Sequence, residues 1–302
     1  MNRCRAYFIL VLAFAAMNLC AQSASGTVTA NATGNNYWKW NKHGNFYFSW
    51  GYSKWWYPKT DLNFDIKTPS SGGRGGNSTY TLEKVYAHDS PFLNSLLKEP
   101  LTVPQFCVRI GYFFNKDQTL GAELTYDHAK FVVDKDQYVE MKGQTNGIPF
   151  DSTAHLYPEI WTGPKPFVFK LNNGANFFEF TLVKKFTLWE SRGGKFKFFY
   201  LLKGGLGWCT PHVENIIFGE PNKPHFQAIG GWNVGAEGAI RLLFFNRAYL
   251  EFGEKAVYAS YYNLRLAQGT ASVHFATHGN ILSLGCNFPG KVKTINPINN
   301  LE

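Results

Sequence analysis

Charge is scarce in this 302-residue chain: Asp, Glu, Lys and Arg together make up 17% of it. A disordered chain would be richer in charge and poorer in aromatics. A coiled coil would be dominated by Ala, Glu, Lys and Leu. Long hydrophobic runs are missing beyond residue 21. No segment there supplies the about 20 apolar residues that a membrane-crossing helix needs. Cysteine is rare as well, and two of the five lie at the extreme N-terminus. Cys107, Cys209 and Cys286 remain, an odd number that precludes full internal pairing. No CxxC spacing offers a zinc knuckle or a redox pair. His274 and His278 share a strand face but would sit about 13 Å apart, too far for one metal. No metal and no cofactor is therefore expected.

Aromatics are abundant, at 17%, with 27 Phe, 16 Tyr and 9 Trp, beside 29 Gly. That composition favours β structure. The first 21 residues combine Arg3 and Arg5 with an apolar run from Tyr7 to Met17. The run is too short to span a bilayer and suits a secretory signal peptide over 1–21, cleaved near Ala21–Gln22. Cys20 is an alternative acylation site, although Leu19 before it is larger than the usual Gly, Ala or Ser. An exported chain without a spanning helix is either soluble or a β-barrel.

Period-two alternation decides between them. Phe46, Phe48, Trp50 and Tyr52 share one face, with Tyr47, Ser49 and Gly51 on the other. Leu120, Ala122, Leu124 and Tyr126 oppose Gly121, Glu123, Thr125 and Asp127. The same holds in 174–190, 195–210 and 226–244. A long aromatic face opposite a small or polar one is the pattern of a transmembrane strand. A secreted soluble β-barrel that binds a lipophilic ligand is the alternative. The spacing predicts an all-β, antiparallel up-and-down transmembrane β-barrel of about ten strands: 44–56, 60–68, 78–88, 105–115, 119–133, 174–190, 195–210, 226–244, 248–266 and 270–288. Eight strands result if 60–88 is only an external hairpin. The organisation is then a signal peptide (1–21), a periplasmic N-terminal segment (22–43), the barrel (44–288) and a tail (289–302). Tight turns near 116–118, 191–194 and 245–247 alternate with long external loops at 89–104, 134–173 and 211–225.

On the polar face lie charges of both signs: Arg109, Glu123, Asp127, Glu179, Lys185, Glu237, Arg241, Glu251, Lys255 and Arg265. Inside a barrel with room only for side chains, these must pair. A three-residue turn at 245–247 sets Arg241 opposite Glu251 and Glu237 opposite Lys255, so two opposite-sign pairs are expected across that hairpin.

Five stretches, GNFYFSWGYSKWWY (44–57), TLEKVYAHDSP (81–91), PQFCVRIGYFF (104–114), ELTYDHAKFVV (123–133) and NNGANFFEF (172–180), resemble small outer-membrane β-barrel proteins of Gram-negative bacteria, a functionally unassigned family with a porin-like or OmpA-like barrel. The resemblance implies an outer-membrane location and no settled activity. The expected role is non-enzymatic: envelope structure, binding or small-solute transport. A lipid-modifying hydrolase is the alternative, with His88 and Ser90 as candidates, since the His-x-Ser spacing occurs in barrel deacylases of lipopolysaccharide. Expected partners are outer-membrane lipid, lipopolysaccharide and the barrel-assembly machinery. Nucleic acid is not expected for an exported barrel.

Overall fold

The computed structural model describes residues 39–41, 45–67, 77–89, 105–115, 117–158, 166–171, 174–222, 226–288 and 290–292. The proposed signal peptide lies outside them. All regular structure among the described residues is β. The strands are β1 (Lys39–Asn41), β2 (Phe46–Trp56), β3 (Thr60–Ile66), β4 (Ser78–Val85), β5 (Ala87–His88), β6 (Phe106–Phe113), β7 (Leu120–Asp127), β8 (Phe131–Val133), β9 (Gln137–Thr145), β10 (Ile148–Leu156), β11 (Val168–Leu171), β12 (Ala175–Glu190), β13 (Phe196–Pro211), β14 (Glu214–Ile217), β15 (Glu220–Asn222), β16 (Gly231–Phe244), β17 (Ala248–Leu266), β18 (Gly269–Asn287) and β19 (Gly290–Val292).

Antiparallel ladders link β2, β6, β7, β12, β13, β16, β17 and β18 in that order, and β18 pairs back onto β2. Directly paired residues can be followed once around, from Trp50 through Val108, Tyr126, Phe178, Trp208, Trp232 and Ser260 to His274. They return to the first strand not at Trp50 but at Thr60, whose hydroxyl donates to the His274 carbonyl at 2.7 Å. That stagger is the shear that tilted barrel strands require.

Residues 60–68 and 78–88 do not take the places expected of a second and third barrel strand. β2 and β3 both run antiparallel to β18, so they point the same way. Tyr57-Pro58-Lys59 is an interruption in one long strand and not a hairpin turn. Pro58 has no N–H to give the ladder, so pairing lapses there and resumes. β4, β9 and β10 then extend the sheet outward from β3.

The segment 134–173, expected as a loop, holds the β9–β10 hairpin and β11. The hairpin turns on Asn146 and Gly147, both left-handed, at φ 50° and 80°. That is the two-residue turn whose twist matches the flanking strands. Likewise 211–225 contains β14 and β15. The strand expected over 119–133 stops at Asp127. From His128 to Val133 every residue is buried, so alternation ends where the chain enters a packed layer. There β5, β8, β11, β14 and β15 form a second sheet. Phe131, Phe169 and Leu171 from that sheet share a core with Leu62, Phe64, Leu82 and Val139 from the β3–β4–β9 arm. The end of the barrel away from the tight turns thus carries a folded β module.

Candidate functional site in the barrel lumen

Alternation sorts each barrel strand into an outer and an inner row. Leu124 is 39% exposed while its neighbour Thr125 is 1% exposed. Phe180, Leu182, Leu206, Phe252 and Leu282 also face out. No helix among the described residues is long and apolar enough to cross a membrane, which says nothing of strands.

The inner row is stacked in three layers. At the end with the tight turns, Tyr47, Phe113, Val183, Phe199, Leu201, Leu243 and Tyr249 form an apolar floor. At the far end Trp55, Phe177, Val257, Ala259 and Tyr261 join the module's core and form an apolar ceiling. Between them lies a charge network. Lys255 Nζ sits 2.6 Å from Asp127 Oδ2 and 2.8 Å from Glu179 Oε2. Arg109 Nη2 lies 2.8 Å from Glu237 Oε2, and its Nε 3.4 Å from Glu123 Oε1. Lys203 Nζ reaches Glu251 at 2.7 Å, Glu237 at 3.1 Å and Glu123 at 3.3 Å. Arg241 Nε lies 2.5 Å from Glu251 Oε2, with its guanidinium 4.0 Å from the Tyr249 ring centre. Tyr47 Oη donates to Glu123 Oε2 at 2.9 Å.

Of the residues expected in this network, Arg109, Glu123, Asp127, Glu179, Glu237, Arg241, Glu251 and Lys255 are brought together. Arg265 is not. A bulge between Tyr261 and Leu264, with Asn263 left-handed, shifts the alternation by one residue. Leu264 and Leu266 turn inward and Arg265 turns out to solvent. The β16–β17 register is the expected one, with Arg241 opposite Glu251 and Glu237 opposite Lys255. Glu237 and Lys255 nevertheless do not bond each other. Each reaches across the lumen, Glu237 to Arg109 and Lys203, Lys255 to Asp127 and Glu179. Lys185 also points inward but joins the floor, its Nζ 4.3 Å from the Phe113 ring centre and 4.5 Å from that of Phe199.

Lys203 was absent from the expected network and touches three of its carboxylates. Its signal was present, since it alternates with outward Leu202 on β13. Small residues make the room. A Cβ on Gly253 would lie 2.7 Å from Glu237 Oε1, and one on Gly235 2.7 Å from Glu179 Oε1. The space among Glu179, Lys203, Glu237 and Lys255 admits no water molecule. Chemically, the layer can fill and lock the lumen, and it presents no open path.

The hydrolase candidates do not assemble. Ser90 lies outside the described residues. His88 sits in the external module, partly exposed, with Nδ1 against the Asp134 carboxylate. Among the described residues no cluster of three His, Cys, Asp or Glu is placed to hold a metal. Cys107, Cys209 and Cys286 are buried free thiols. In the module, burial pushes the Lys130 amine below its ordinary value. The Lys142 ammonium hydrogen-bonds Glu140 and holds its carboxyl below the usual range.

The architecture is that of a small outer-membrane-type β-barrel. No protein-family model and no curated protein matches the chain. Among solved structures it is similar to the outer membrane protein OprG from Pseudomonas aeruginosa, at 12% identity over 82% of this chain and 97% of that one, TM-score 0.32. It is similar to the outer membrane protein AlkL, at 12% identity over 89% and 99%, TM-score 0.29. The toluene transporter TbuX from Ralstonia pickettii follows at 8% identity over 82% and 90%, TM-score 0.17. At these identities and scores the likenesses add nothing to what the pairings and exposures establish.

Proposed function

We propose that this protein is a non-enzymatic outer-membrane barrel with a sealed lumen, serving the envelope through its wall and its external β module and not as an aqueous pore. The observation that carries this is the ion-paired layer with no room for water, held between an apolar floor and an apolar ceiling. On this reading the chain is exported by its N-terminal leader and folded by the barrel-assembly machinery. Its surroundings are outer-membrane lipid and lipopolysaccharide. Planar-bilayer recordings of the purified protein should show no steady conductance. A large, well-defined conductance would overturn the proposal.

A second reading, handling of a small apolar molecule along the wall, is favoured by one feature. A groove of about 280 Å³ opens on the outer face of β6, β7 and β12, lined by Phe46, Ile110, Tyr112, Leu124, Phe180 and Leu182. Toluene, the molecule named for TbuX, is a suitable probe. Titrated into the protein in bilayers, it should shift the methyl signals of Leu124 and Leu182 and leave that of Leu206 in place. Equal shifts at all three would reduce the groove to ordinary lipid-facing surface.

A further inference from the structure

The outer face is apolar except along one row. Glu254 on β17 is paired directly with Asn280 on β18, and Asn280 directly with Lys54 on β2. Glu254 and Lys54 are exposed and Asn280 is half-buried. The row lies within the apolar belt and not at its rim. On β17, exposed Leu250 and Phe252 lie on one side of Glu254 and exposed Tyr258 on the other. On neighbouring β16, Ile240 and Val234 bracket the same level. Leu282 and Leu284 on β18 continue the belt toward the tight-turn end. Among the described residues Glu254 has no hydrogen-bond or ion-pair partner. Lys54 has only the Trp56 ring, 5.4 Å from its Nζ.

An unpartnered carboxylate facing hydrocarbon is costly. Lys54 has a long stem that can carry its charge toward the rim. Glu254 has no such reach. Small residues surround it, with Gly238 opposite on β16 and Ala236, Ala256 and Ala276 close by. These leave a shallow strip on which a second surface can approach closely.

We propose that this row is the contact face of a two-fold dimer of the chain within the outer membrane. The order of charges is the argument. The acid and the base lie on either side of Asn280, about 10 Å apart, two strand spacings. A two-fold axis along the membrane normal exchanges left and right on facing walls. Placed at Asn280, it sets Glu254 of each copy against Lys54 of the other and brings the two Asn280 amides together. One patch complements itself, as an isologous interface requires. The dimer rests on the wall being lipid-facing, as in the proposed function, and it adds the identity of the partner.

Charge reversal tests it. The full-length protein is reconstituted in bilayers and its state read by cross-linking, with heat-dependent migration on a gel as the measure of barrel folding. The unmodified protein should cross-link as a dimer. Glu254→Lys and Lys54→Glu should each lower the dimer fraction at least tenfold while keeping heat-dependent migration. The double variant Glu254→Lys with Lys54→Glu should restore it. A monomeric unmodified protein overturns the proposal, as does a dimer indifferent to both single reversals. Loss of heat-dependent migration in the unmodified protein would instead overturn the membrane reading itself.

Discussion

Lys203 holds three carboxylates, Glu251, Glu237 and Glu123, within 3.3 Å of its ammonium. Lys203→Met leaves all three short of a cation in a dry interior. Breaking a buried ion pair costs roughly 3–5 kcal/mol, so the loss should reach that range in urea unfolding from vesicles. Arg241→Ala should cost less, because Glu251 keeps Lys203 and only one guanidinium contact is lost. The reverse ranking would mean that the network is not organised around Lys203. At this scale the sequence showed which residues face inward on each strand, from alternation alone. It did not show which meet, because Lys203 and Glu123 are joined across the lumen. Arg265 was misread for a local reason: left-handed Asn263 is not visible as a break in the run of Tyr261 to Leu266.

Single elements divide between those that alternation describes and those that turn chemistry describes. β16, β17 and β18 alternate over long spans, and their registers follow from short turns. The β9–β10 hairpin is less apolar, yet Asn146-Gly147 is a strong hairpin signal that marked it. Tyr57-Pro58-Lys59 looks like a turn in sequence. Only the ladder of β3 with β18 shows that the strand goes on. Two substitutions probe the two faces. Leu124→Arg puts a charge toward hydrocarbon and should cost roughly 2–4 kcal/mol near the midplane. Unchanged folding yield in bilayers would refute the outward assignment. Gly253→Val pushes a side chain into the Glu237 carboxylate, where a Cβ alone would lie at 2.7 Å. Refolding yield should fall sharply. Glu237→Gln in the same chain should not restore it, since the obstacle is steric.

The whole molecule is a staggered barrel whose lumen is filled from floor to ceiling, topped by a β module with its own core. Filling and stagger are linked, because a barrel of this size leaves room only for side chains. An assembly so packed should unfold slowly. An unheated sample should migrate differently in SDS from a heated one. Identical migration, together with solubility in the absence of detergent, would return the chain to the soluble class. The module should resist separate removal, since Trp55, Phe177, Val257 and Tyr261 belong to both the lumen and its core. Deleting 137–156 should therefore weaken the barrel itself, seen as a lower temperature for the heat-induced gel shift.

What the sequence determined by itself was the class and the two faces: β structure from aromatics and alternation, and an inner row of mixed charge. Those are properties of neighbours along the chain, where period two leaves no freedom once one face is apolar. Tertiary structure decided the rest. It decided that β2 and β3 are one interrupted strand, that Glu237 turns from Lys255 toward Arg109 and Lys203, and that the presumed external loops fold into a lid. Each depends on residues far apart in sequence meeting across a curved sheet, and such meetings leave no periodic trace in the chain.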